Sequence, residues 1–274
     1  IDVGEFTVSN SSLLSYSNNL GSQGENNDAM VDYDIEVKNL EIINSTLKSK
    51  RNAGDNTYEF DLEVESGGGD VDIEDSWLGL HSSKGNFKIF DTNYTLDILN
   101  SDLRVNLWGC YYGDSQCNST YYNSKVNVSD SSIHGIFYVE QASDIDLQDS
   151  VFISSVQLDS INLAINDVII QEELNSNGDN FRVNYVVIDN LSLGSYLNID
   201  GIILDITNSS ISTSVEISHD IVNMTNISIS SSSLYFNEVN SAVLRNVTIN
   251  TQLNGVVEDL YLEDVHTGQG KNTL

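Results

Sequence analysis

The residues with the most chemical potential are oxygen donors in short polar stretches. Glu173-Leu-Asn175-Ser-Asn177-Gly178-Asp179 sets carboxylate and amide groups at alternate positions, with a glycine at the bend. That pattern matches the opening of a calcium loop, which ligates a hard cation through oxygens at alternate positions. The closing glutamate of a full loop is missing, because position 184 is Asn. Glu173, Asn175, Asn177 and Asp179 are therefore candidate calcium ligands, with a solvated loop as the alternative. Two weaker acidic stretches, Gly67–Asp72 and Asp28/Asp32/Asp34, could also gather a cation. No cofactor is required, and calcium is the candidate ion.

The other reactive types are sparse. Cys110 and Cys117 share one loop with Gly between them. Their spacing can close a small disulfide, whereas two thiols alone do not make a zinc site. A disulfide implies an oxidising compartment. His81, His134, His219 and His266 are scattered, without the spacing of a helical metal pair. Neither a nucleophile elbow nor a phosphate-cradling glycine loop is present. Trp108, Tyr111, Tyr112, Tyr121 and Tyr122 make the cysteine loop aromatic, which suits packing over a flank or contact with a sugar or subunit.

What must position these residues is a repeat. Asn or Asp recurs at 190, 208, 226, 246 and 264, preceded by alternating apolar residues and followed by a short β-branched run. A fixed period of that size indicates a solenoid. Period-two alternation of Ile, Val, Thr and Ser indicates strands rather than helices. The same marker runs upstream through Asn10, Asn44, Asp75, Asn100, Asp130, Asp149 and Asn166. The expected fold is all-β: a single-domain right-handed parallel β-helix of about twelve coils. Residues 1–125 hold coils with long loop insertions, 126–265 are regular coils, and 266–274 form a C-terminal tail or cap. Ile1–Val8 is the other candidate for covering an end or adding to another subunit's edge.

The marker itself has two readings. Asn and Asp tolerate the left-handed backbone region, so one per coil can make a tight bend and stack as a ladder. Alternatively, Asn10, Asn44, Asn190, Asn208, Asn226 and Asn246 open N-x-S/T glycosylation patterns, as do Asn93, Asn118, Asn127 and Asn223. Glycans on neighbouring coils would crowd at the strand spacing. The loop sites Asn93 and Asn118 are the most favourable, with Asn127 and Asn223 also matching.

Composition limits the partners. The 274 residues carry 41 acidic and 11 basic side chains, a net charge of −30. That argues against nucleic acid and anionic membrane surfaces, which require clustered Lys and Arg. There is no apolar run long enough for a membrane span. Proline is absent, so no strand lacks a backbone N–H for that reason. The chain begins at Ile1 without Met, which suggests a processed, exported protein.

The φ-x-φ-x-(Asn/Asp)-Ser-x-φ coils resemble the right-handed parallel β-helix superfamily of pectate lyases and polygalacturonases. They are also similar to non-catalytic surface proteins: adhesins, S-layer and sheath components. The Asp-Asp, Gly-His-Gly and Arg-x-Lys motifs of the polygalacturonase-like enzymes do not occur, and Arg51, Arg104, Arg182 and Arg245 stand in no lyase motif. The fold alone does not confer the activity. The resemblance therefore implies a non-enzymatic extracellular subunit of a cell-surface filament, sheath or surface layer. Its main partner would be copies of itself, with cell-surface carbohydrate as a further one. A carbohydrate-active enzyme, a glycosidase with paired carboxylates included, is the alternative.

Overall fold

The computed structural model describes residues 2–17, 29–51, 58–64, 70–79, 85–89, 94–109, 124–176, 183–195, 197–230, 233–268 and 272. All of its strand pairings are parallel, and each strand between the first and last coils pairs with one a coil earlier and one a coil later. The protein is a parallel β-solenoid.

Strand Asp102–Gly109 shows how the sequence makes a coil. Its burial alternates without a break, and Leu103, Val105 and Leu107 face inward. Asp102 and Leu103 pair with Trp77 and Leu78 below and with Ser132 and Ile133 above. Leu107 and Trp108 pair instead with Phe87 and Lys88 below and with Phe137 and Tyr138 above. One extended run thus contributes to two faces of the stack, and the alternation fills an interior rich in Ile, Val, Leu and Phe. At about 25 cal/mol per Å² of apolar surface removed from water, this interior is the main stabilising term.

The third face leads into the bends. Its inward register runs Val8, Ile42, Ile73, Ile98, Val128, Leu147, Ile165, Ile188, Ile206, Met224, Leu244 and Leu262, one residue per rung. That register has twelve rungs. The eight bends from Asp130 to Asp264 follow one another at 18 to 23 residues, whereas the earlier ones are 25 to 34 residues apart in sequence. Every bend residue, with the residues next to it, lies among the described residues.

At the bends, Asn10, Asn44, Asp75, Asn100, Asp130, Asp149, Asp167, Asn190, Asn208, Asn226, Asn246 and Asp264 have φ between 45° and 58°. One expected position shifts. Asn166 is the last residue of strand Val156–Asn166 and pairs with Gln148 and Asp189, both of which directly precede a bend. Asp167 therefore makes the bend, with φ 53°. Both residues suit the left-handed region, so residue type could not choose between them; the register does. Glu238, with φ 57°, is a left-handed residue at a different corner.

Candidate functional site

Among the described residues, the bend corner carries three parallel lines of polar contacts. The marker N–H donates along the stack, as in Asn44 N–H to Glu74 O at 2.9 Å and Asn208 N–H to Thr225 O at 3.0 Å. The side chains form a second line. Asn44 Nδ2 donates to Asn10 Oδ1 at 2.7 Å, Asn226 to Asn208 at 2.9 Å, and Asn246 to Asn226 at 2.9 Å. Where the earlier rung carries Asp, the amide donates to a carboxylate: Asn100 to Asp75 at 2.5 Å, and Asn190 to Asp167. Asn208 departs from this line and donates to Asp189 Oδ1 at 2.8 Å. Thr207 Oγ1 donates to the same oxygen, and these two bonds hold the Asp189 carboxyl below its ordinary range.

A third line lies beneath. Ser45, Ser76, Ser101, Ser131 and Ser150 follow their markers and are buried. Each hydroxyl donates to the carbonyl two residues back, as Ser76 Oγ does to Glu74 O at 2.7 Å. Each oxygen also accepts the backbone N–H of the residue one rung earlier, as in Ser76 N–H to Ser101 Oγ at 3.1 Å. The line lapses at Val168 and Leu191, returns at Ser209, and gives way to Ile227 and Val247. The sequence signal was the Ser that follows so many markers. Its buried role was not evident because Ser is ordinarily a turn or surface residue.

A groove follows this corner in the first half of the stack. Its walls include Asn44, Thr46, Asp75, Trp77, Asn100 and Asp102. Beside it, Asp102 lies against a guanidinium and an imidazole. Arg104 Nη2 lies 3.3 Å from Asp102 Oδ2, and His134 Nε2 lies 3.2 Å from Asp102 Oδ1. The Arg104 guanidinium also sits over the Trp77 ring, 5.9 Å from its centroid. Trp77, the Asp102/Arg104 pair and His134 come from successive coils and meet only because the coils stack.

On the outer side of the third face, Glu41, Asp72 and Asp97 lie on successive rungs. Burial, then Asp97, Asp70, Glu41 and Glu74, raises the Asp72 carboxyl above its ordinary range. Further along, Asn162 and Ser143 hydrogen-bond Asp144 and lower its carboxyl.

The structure describes only some of the candidate ligands and modification sites. Asn175 lies in strand Leu174–Ser176, pairing with Gln157 and Asn198, and Glu173 precedes it. Asn177 and Asp179 lie outside the described residues, as do Cys110, Cys117, Asn93 and Asn118. Asn127 and Asn223 sit in strands, and their amides donate to Asp97 and Asp205 at 2.5 and 2.6 Å. Among the described residues, no three His, Cys, Asp or Glu side chains converge closely enough to hold a metal ion. No helix among them is long and apolar enough to cross a membrane.

The stacked parallel coils define a β-solenoid. Comparison of the chain with protein-family models, with curated proteins and with solved structures finds no match.

Proposed function

We propose that the chain is a non-enzymatic structural protein: a stiff extracellular element of a surface filament, sheath or layer that joins to copies of itself through strand edges. The observation that carries this reading is the state of the last rung, Leu253–Thr267. Its outer edge has no described strand beyond it, and Tyr261 and Leu262, at 53% and 46% exposure, face outward or over an uncovered interior. An edge of this kind is a template for strand addition. Among the described residues, Asn272 covers only its start, where Leu253 N–H donates to Asn272 Oδ1 at 2.9 Å. Twelve rungs at the sheet spacing span about 53 Å, long enough for a spacer element.

Negative-stain microscopy and light scattering test this on the 274-residue chain. End-to-end particles at high concentration support it, and Leu262→Glu should return them to single units. Monodisperse wild-type monomers across the concentration range would count heavily against it.

A second reading rests on the groove with the Trp77 wall and its amide and carboxylate lining, which suits a polyhydroxylated ligand. On that reading the chain is a carbohydrate-binding adhesin or a carbohydrate-active enzyme. Calorimetric titration with neutral and acidic oligosaccharides, with product analysis, distinguishes it.

A further inference from the structure

The outer rows of the third face are polar for most of their length, and then the pattern breaks. One row runs Lys125, Asp144, Asn162, Tyr185, Ile203, Ile221, Ser241. Its neighbour runs Asn127, Asp146, Ala164, Val187, Asp205, Asn223. Tyr185, Val187, Ile203 and Ile221 therefore lie on consecutive rungs, side by side and on the solvent side. Tyr185 is 42% exposed and Ile221 41%. Nothing in the fold needs apolar residues there, because the inward positions of the same strands already supply the core. A contiguous apolar patch with a polar border is the form an interaction surface takes.

The border indicates the occupant. Asp144 and Asp146 lie on the N-terminal side of the patch, Asp205 lies within it, and Asp220 flanks Ile221. Lys125 is the one basic side chain in these two rows. Asp205 is held in place by Tyr185 OH at 3.1 Å and Asn223 Nδ2 at 2.6 Å, so the aromatic ring and its carboxylate neighbour form one fixed unit. A second copy of a chain with net charge −30 would bring like charge to this border. Aliphatic side chains form most of the patch, which fits a protein surface better than a sugar ring. We propose that this face docks a basic protein partner, whose aliphatic or aromatic side chains cover Tyr185, Val187, Ile203 and Ile221 and whose Lys or Arg side chains meet Asp144, Asp146 and Asp205. This surface is separate from the terminal rung and does not depend on end-to-end assembly.

The test uses two synthetic peptides, one alternating lysine with valine and one alternating lysine with serine, titrated calorimetrically into the full chain. The lysine–valine peptide should bind, at least tenfold more tightly than the lysine–serine peptide and more weakly as salt is raised. The double variant Tyr185→Ser, Ile221→Ser should lose at least tenfold of that binding while its melting temperature shows that the coils remain folded. Equal binding of the two peptides, or binding unchanged in the double variant, overturns the proposal by reducing it to general attraction to a polyanion. A wild-type dimer that the double variant dissociates overturns it in favour of a second copy. Binding of neutral oligosaccharides lost in the same variant overturns it in favour of a glycan.

Discussion

At the scale of single residues, the bend does two jobs that substitution can separate. Asn226 holds a left-handed backbone, and its amide donates to Asn208 while accepting from Asn246. An L-residue other than Asn or Asp in that region costs about 1–2 kcal/mol. Asn226→Ala should therefore lose about that much plus the ladder bonds, and Asn226→Gly should lose less, because Gly keeps the conformation. Thermal melts ranked Asn, Gly, Ala would support this; Gly equal to Ala would contradict it. Beneath the bend, Ser101→Ala strips the buried Ser76 N–H of its acceptor, at a cost of about 1–3 kcal/mol. Glu238 offers the opposite sign: it is exposed and left-handed, and Glu238→Asn should gain up to about 1 kcal/mol. The bends were legible in the sequence because few residue types tolerate that conformation. The adjacent Asn166 and Asp167 show the limit of that signal, since both are suitable and only the pairing of Asn166 with Gln148 and Asp189 separates them. The serine line was visible as a motif but not as a buried network, because burial is a property of the stack and not of any one coil.

At the scale of the strand, period-two alternation made the coils legible and also concealed the apolar patch. Val183–Asp189 and Leu197–Thr207 are so rich in β-branched residues that outward Val187 and Ile203 merge with inward Val186 and Leu204. Only the register assigns them to opposite sides. The group around Asp102 was hidden for a related reason: Trp77, Asp102 and His134 belong to successive rungs with different spacings in sequence. Register is equally the point of vulnerability. One alanine inserted after Val222 would turn Met224 outward and move the bend out of column. Its cost should exceed the roughly 2–5 kcal/mol of a large-to-small core substitution. One alanine inserted within 177–182, between strands Leu174–Ser176 and Val183–Asp189, should be nearly silent. Comparable destabilisation by both insertions, read in urea melts, would refute the idea that the bend corner sets the register.

At the scale of the molecule, charge sets how stability varies with pH and salt. A net −30 at pH 7 is carried by a stack whose outer rows place Glu41, Asp72 and Asp97 on neighbouring rungs. Burial, with Asp97 and other carboxylates, raises the Asp72 carboxyl, so its ionised form opposes folding. Stability from this group is present when it is protonated, and it is lost as pH rises from the ordinary value of 3.8 through the raised one. Asp144 and Asp189 have the opposite sign. Hydrogen bonds lower both, so their contribution is present above 3.8 and is lost as pH falls through their lowered values. General repulsion acts in the same sense as Asp72, because acidification removes negative charge. The melting temperature should therefore rise as pH falls from 7 into the mildly acidic range, pass a maximum, and drop below 3.8 as the hydrogen-bonded carboxylates protonate. Salt should raise it more at pH 7 than at the maximum, since screening replaces what protonation supplies. Asp72→Asn should stabilise at neutral pH by less than about 1 kcal/mol, because solvent screens a group this exposed, and should flatten the rise toward acid. A scan of melting temperature against pH at two salt concentrations reads all three effects. A profile that falls steadily from pH 7, or an Asp72→Asn variant with an unchanged slope, would show that the stacked carboxylates are not the dominant electrostatic cost.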